Sequence, residues 1–96
     1  MTEEQKTALL SMLKVDLGIK STTAYDERLS QYIEVADQAI TEMGATLDYT
    51  VLKDNQLVVM YAAWTWRKRD SGEGMPRMLR YALNNRIFSE KVKSNG

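Results

Sequence analysis

The chain has no cysteine and no histidine, a single proline and only five glycines. Without cysteine there is no disulfide framework and no thiol chemistry. With histidine missing too, the usual zinc ligands, the commonest general base and any Cys/His or Ser/His nucleophile pair are gone. One proline and five glycines argue against a turn-rich all-β fold. The uncharged run from Asn55 to Trp66 has 12 residues, and a bilayer span needs about 20. The opening MTEEQKTALL has acidic residues where a signal peptide needs positive charge. No export signal, membrane partner, metal or cofactor is therefore expected.

What is present is an ordinary soluble globular composition, with 44% hydrophobic residues and a net charge of zero over 96 residues. That length makes one domain, residues 1–96, with a modest core. The zero net charge hides a split. Residues 1–66 carry five Lys/Arg against ten Asp/Glu, and residues 67–96 carry eight against three. Such asymmetry suits a partner surface, or a subunit whose acidic side meets a neighbour's basic side. A pair of solvated helix faces would give the same count.

The stretch NQLVVMYAAWTW, Asn55 to Trp66, organises the rest. Its apolar residues point all round a helix, which marks a helix buried on every side. The Val58-Val59 pair leaves a strand possible, but the length and the Met, Ala and Leu content favour helix. The expected fold is all-α, a small bundle of four main helices at about 2–17, 23–43, 55–69 and 76–92. The third is expected at the centre. Arg67, Lys68 and Arg69 follow it and suit the negative end of its dipole.

The first helix has a capping box in Thr2 and Gln5 and a stripe of Leu9, Leu10, Leu13 and Leu17. Gly18 suits its end, with Ile19 closing a Schellman motif. Thr23 and Asp26 have capping-box spacing for the second helix. There Leu29, Ile33, Ala36, Ile40 and Met43 recur at intervals of 4, 3, 4 and 3. Tyr25, Tyr32 and Val35 widen that stripe, Asp26, Glu27, Glu34, Asp37 and Glu42 form an acidic outer face, and Gly44 ends the helix. Ala45 to Asp54 reads as a packed connector with a turn of helix around Asp48, and Asp54 as the cap of the central helix. DSGEG, Asp70 to Gly74, reads as a mobile loop near an assembly surface. Pro76 suits the first position of the last helix, and Lys93 to Gly96 a frayed tail. The expected core is Leu13, Leu29, Ile33, Ala36, Ile40, Leu57, Tyr61, Trp64, Leu79, Leu83 and Ile87.

No constellation points to catalysis. The carboxylate pairs Asp26/Glu27 and Glu34/Asp37 lie on a solvated face, where acid/base work has no pocket. DSGEG lacks the lysine and the preceding strand of a phosphate loop. The cluster Arg67-Lys68-Arg69 with Arg77 and Arg80 could meet phosphate, and Trp64, Trp66 and Tyr81 could stack on bases. The alternative places Trp64 in the core and Trp66 at its rim, with the arginines solvated or paired. A pI near 6.2 weakens the nucleic-acid reading. An exposed Trp and Tyr beside Arg is more typical of a protein interface.

Three segments carry a resemblance: LKVDLGI at Leu13–Ile19, a Ser/Thr turn before YDERLSQYIEVADQAI at Tyr25–Ile40, and an apolar aromatic helix ending in basic residues. In this order the chain resembles the head-tail connector, or head-completion adaptor, proteins of tailed phages and bacterial prophages. The resemblance covers nearly the whole chain, and its motifs are degenerate. It implies an α-helical structural protein without enzymatic activity. Such a protein is made in the bacterial host cytoplasm and placed at the head-tail junction of the virion. It would form a ring with copies of itself beneath the portal protein, extend the DNA channel, and dock a tail-completion or stopper protein. DNA would pass through without sequence-specific binding. The resemblance places Arg77, Arg80, Arg86 and Lys91 on a portal-side or intersubunit surface. With Trp66, Arg67, Lys68 and Arg69 these are the expected interface residues. The other function considered is a small helical DNA-binding or regulatory module using the basic last third.

Overall fold

Residues 1–95 are described in a computed structural model. They form four α-helices: α1 Glu3–Leu17, α2 Asp26–Glu42, α3 Leu52–Ser71 and α4 Arg77–Asn95. No strand occurs among the described residues. None of their helices is long and apolar enough to cross a membrane. The all-α expectation holds, and so does the central place of the third helix. α3 packs on all three others, most extensively on α2, while α1 also packs on α2. α4 rests chiefly on α3, and the molecule is a flattened body of 45 × 31 × 18 Å.

The core follows from the heptad-like stripes. Leu9 and Leu13 of α1, Leu29, Ile33, Ala36 and Ile40 of α2, and Leu79 and Leu83 of α4 are all buried. They close on Leu57, Val58, Val59, Ala62 and Ala63 of α3. Burial of one such large aliphatic side chain contributes about 1.5–3 kcal/mol relative to exposure. Three expected core residues, Tyr61, Trp64 and Ile87, are only half-buried. Trp66, expected at the rim, is buried instead. Tyr25 and Tyr32 of α2 meet its ring edge-on at 5.2 and 5.9 Å between centroids.

The ends of α1 are as expected. Thr2 Oγ1 accepts from Gln5 N–H, and Gln5 Oε1 accepts from Thr2 N–H. Gly18 turns left-handed at φ 73°, Gly18 N–H donates to Val15 O and Ile19 N–H to Lys14 O, the two bonds of a Schellman ending.

Several boundaries differ from the sequence reading. α2 begins at Asp26, and Tyr25 caps it without a side-chain bond. The Thr23–Asp26 capping box does not form, because the Asp26 carboxylate pairs with Lys14 of α1 at 2.9 Å. α3 starts three residues early, at Leu52. Asp54 therefore lies in its first turn rather than capping it, and its carboxylate is turned to Arg86 and to Asp48 N–H. α3 also continues through Asp70 and Ser71, the first two residues of the expected loop, to a left-handed Gly72. Pro76 stands just outside α4, where its carbonyl accepts from Arg80 N–H. α4 runs on through Lys93 to Asn95, the segment read as a frayed tail, and Gly96 of that tail lies outside the described residues.

Candidate protein-docking site

Most of the sequence-selected cations are engaged inside the molecule. Arg86 is the extreme case. It was expected on an interface, yet its side chain is only 15% exposed. Its Nε donates to Asp54 Oδ1 at 2.8 Å, Nη2 to Thr46 O at 2.6 Å, and Nη1 to Glu90 Oε1 at 3.1 Å. Glu90 Oε1 also accepts from Thr46 N–H at 2.8 Å. One guanidinium thus ties the connector, the first turn of α3 and the middle of α4 together. The Asp54 hydrogen bond, more than any other contact, raises Arg86 above its ordinary value. The Thr46 amide, then Arg86, holds the Glu90 carboxyl below its own.

The cations at the end of α3 are exposed, but each has a partner within the chain. Arg69 lies over the Trp66 ring, 3.6 Å from guanidinium carbon to centroid, and Lys68 over Trp64 at 4.1 Å. Arg67 pairs with Asp16 of α1 at 3.3 Å. Trp64 Nε1 donates to Glu73 O, which fastens the loop after α3 back onto the helix. Each tryptophan thus has a cation of its own helix over its ring.

The acidic side chains have structural partners too. Lys6 donates to Glu34, and that hydrogen bond raises the Lys6 ammonium. Tyr49 O–H donates to Asp37, and burial, then this bond, pushes the Tyr49 phenol far up. Among the described residues no three carboxylates cluster as a metal site would require. An open groove of about 730 Å³ beside Arg86 is lined by residues already bonded to one another, including Thr46, Asp48, Asp54 and Glu90.

Among the described residues, α4 carries the largest group of exposed apolar side chains on one helix. Met78 is 77% exposed, Phe88 68%, Tyr81 58% and Val92 54%. At 100° per residue these four fall within one quadrant of the helix, opposite Leu79, Leu83 and Arg86. α4 therefore has two apolar faces, one on the core and one in water. Large apolar side chains gathered on one exposed face mark an interaction site, whereas single ones need no explanation. Arg77, Arg80 and Lys91 run along one edge of this stripe and are exposed. Of the eight expected interface residues, these three share an outward face. Met78, Tyr81, Phe88 and Val92 complete it.

A second outward face lies on α2. Val35 is 49% exposed, with Glu27, Glu34 and Glu42 exposed on one side of it and Arg28 on the other. A comparison with protein-family models, curated proteins and solved structures gives no match in any of the three.

Proposed function

We propose that the chain is a structural head-tail connector, or adaptor, of a tailed phage or prophage. It assembles into a ring beneath the portal, extends the DNA channel and docks the tail, at the head-tail junction of the virion. It has no enzymatic step. The observation that carries the reading is the exposed apolar stripe of α4, since a helix apolar on both sides needs a second protein to cover the outer one. The α-helical bundle agrees with the resemblance. The intramolecular pairing of Arg67 with Asp16, of Lys68 with Trp64 and of Arg69 with Trp66 lowers the case for DNA readout.

The test has two arms. Electron microscopy of concentrated protein should show closed rings. Sedimentation with a short duplex at low and high salt should show no shift from DNA. A salt-sensitive shift with duplex would overturn the adaptor reading, because it is the signature of phosphate neutralisation. It would assign Arg77, Arg80 and Lys91 to a DNA-binding module instead.

A further inference from the structure

α2 and α4 each pack on α3 and have at most a slight contact with each other among the described residues. Their outer faces are therefore separate surfaces of the molecule. We infer that the outer face of α4 docks on the outer face of α2 of a second copy of this chain, head to tail. The inference rests on the adaptor reading and names the partner of its α4 face.

Charge chooses the pairing. Along α4 the exposed ionic residues are Arg77, Arg80, Lys91 and Lys93, the first three beside the apolar stripe, and the acidic Glu90 is turned inward to Arg86 and Thr46. Along α2 they are Glu27, Glu34 and Glu42, with Arg28 the one cation beside them and Glu34 shared with Lys6. Two α4 faces together would oppose cation to cation, and two α2 faces acid to acid. Like charges juxtaposed in a contact are strongly unfavourable. Of these three pairings, α4 on α2 is the one that sets mostly opposite signs in contact, with Arg28 the exception.

Length and apolar content agree with that choice. At 1.5 Å per residue, Arg77 to Lys91 spans about 21 Å and Glu27 to Glu42 about 22 Å. Both rows flank exposed apolar side chains, Met78, Tyr81, Phe88 and Val92 on one helix and Val35 on the other. The pairing is heterologous, since the two surfaces differ. Repeated by rotation, such a contact gives a ring when the rotation closes. A single helix-on-helix patch is small beside standard interfaces of roughly 1,600 Å², so one contact alone is reversible.

The experiment is sedimentation equilibrium of the full chain, as wild type and as two charge-reversed variants. One is R77E/R80E/K91E and the other E27K/E42K. All five side chains are exposed, and circular dichroism and the urea midpoint should confirm an unchanged fold. Wild type should associate reversibly and more weakly at high salt. Each variant alone should associate at least about tenfold more weakly. Mixed at equal amounts, the two should regain wild-type association, because the acidified α4 meets the basified α2 and the unaltered faces also match. F88S/M78S, uncharged and equally exposed, should weaken association as well. Three results would overturn the inference: a monomer at every concentration, E27K/E42K associating like wild type, or a mixture that does not recover. Rings built through other faces would remove this contact and leave the adaptor reading standing. A DNA shift would remove that reading whatever the charge variants do.

Discussion

Arg86 shows how far a residue's role depends on what surrounds it. In sequence it is one of several cations on the last helix, next to Asn85 and four residues before Glu90. In the fold it holds Asp54, a carboxylate only 4% exposed. Removing one partner of a buried ion pair leaves the other charged and unpaired. R86A is therefore expected to cost about 3–5 kcal/mol, read from urea unfolding. R86K should recover only part of this, because an ammonium cannot reproduce the guanidinium's contacts to Asp54, Glu90 and Thr46 together. The tryptophans teach the same lesson. Both sit in one uncharged run that has no stripe, so nothing in the pattern ranks Trp64 against Trp66. The neighbours rank them, since Tyr25 and Tyr32 of α2 enclose Trp66. W66A is expected to cost about 3–5 kcal/mol, measured the same way.

The helices themselves were legible where the signal is local. The Thr2 box and the Gly18 ending of α1 involve residues at most five apart, so sequence contains all of the interaction. Gly18 has open space where a Cβ would stand, yet its φ is 73°. G18A should thus cost about 1–2 kcal/mol from backbone strain alone. A thermal melt should detect it, with no change in the core. The start of α2 was misread because its cap competes with a distant charge. Asp26 has the spacing to serve Thr23, but Lys14 takes its carboxylate. The connector was misread for the same reason. Asp54 looks like a cap until Arg86 and Asp48 N–H claim its two oxygens.

For the whole molecule, charge works between elements more than within them. The acidic first two-thirds and the basic last third join through Arg67–Asp16 and Arg86–Asp54. That leaves Arg77, Arg80 and Lys91 on the outside of α4. Stability should depend on pH at both ends. Glu90 and Asp48 are held below their ordinary values, Glu90 chiefly by Thr46 N–H and Asp48 chiefly by the Thr50 hydroxyl. The unfolded chain then binds more protons than the folded one in acid. Stability is expected to be full above the ordinary carboxyl range of about 4 and to fall as pH drops through the lower folded values. E90Q should flatten part of that limb in chemical denaturation series. Tyr49 is raised, by burial first and Asp37 second. Its contribution is complete below about pH 10, the ordinary phenol value, and is lost as pH climbs beyond it. Y49F should remove that alkaline loss.

The sequence by itself determined the class of fold, the number of helices and the burial of the third. These follow from helical periodicity and from an uncharged, apolar run, and both are properties of neighbouring residues. It also determined that thiol and imidazole chemistry are absent, since no cysteine or histidine occurs. Only the tertiary structure decided which cations face outward. Whether Arg86 or Arg80 is free depends on carboxylates and carbonyls many residues away, brought within reach by packing. The second apolar face of α4 was hidden for a related reason. Met78 and Phe88 look like extra core beside Leu79, Leu83 and Ile87, and only the position of α3 shows which side of α4 is covered.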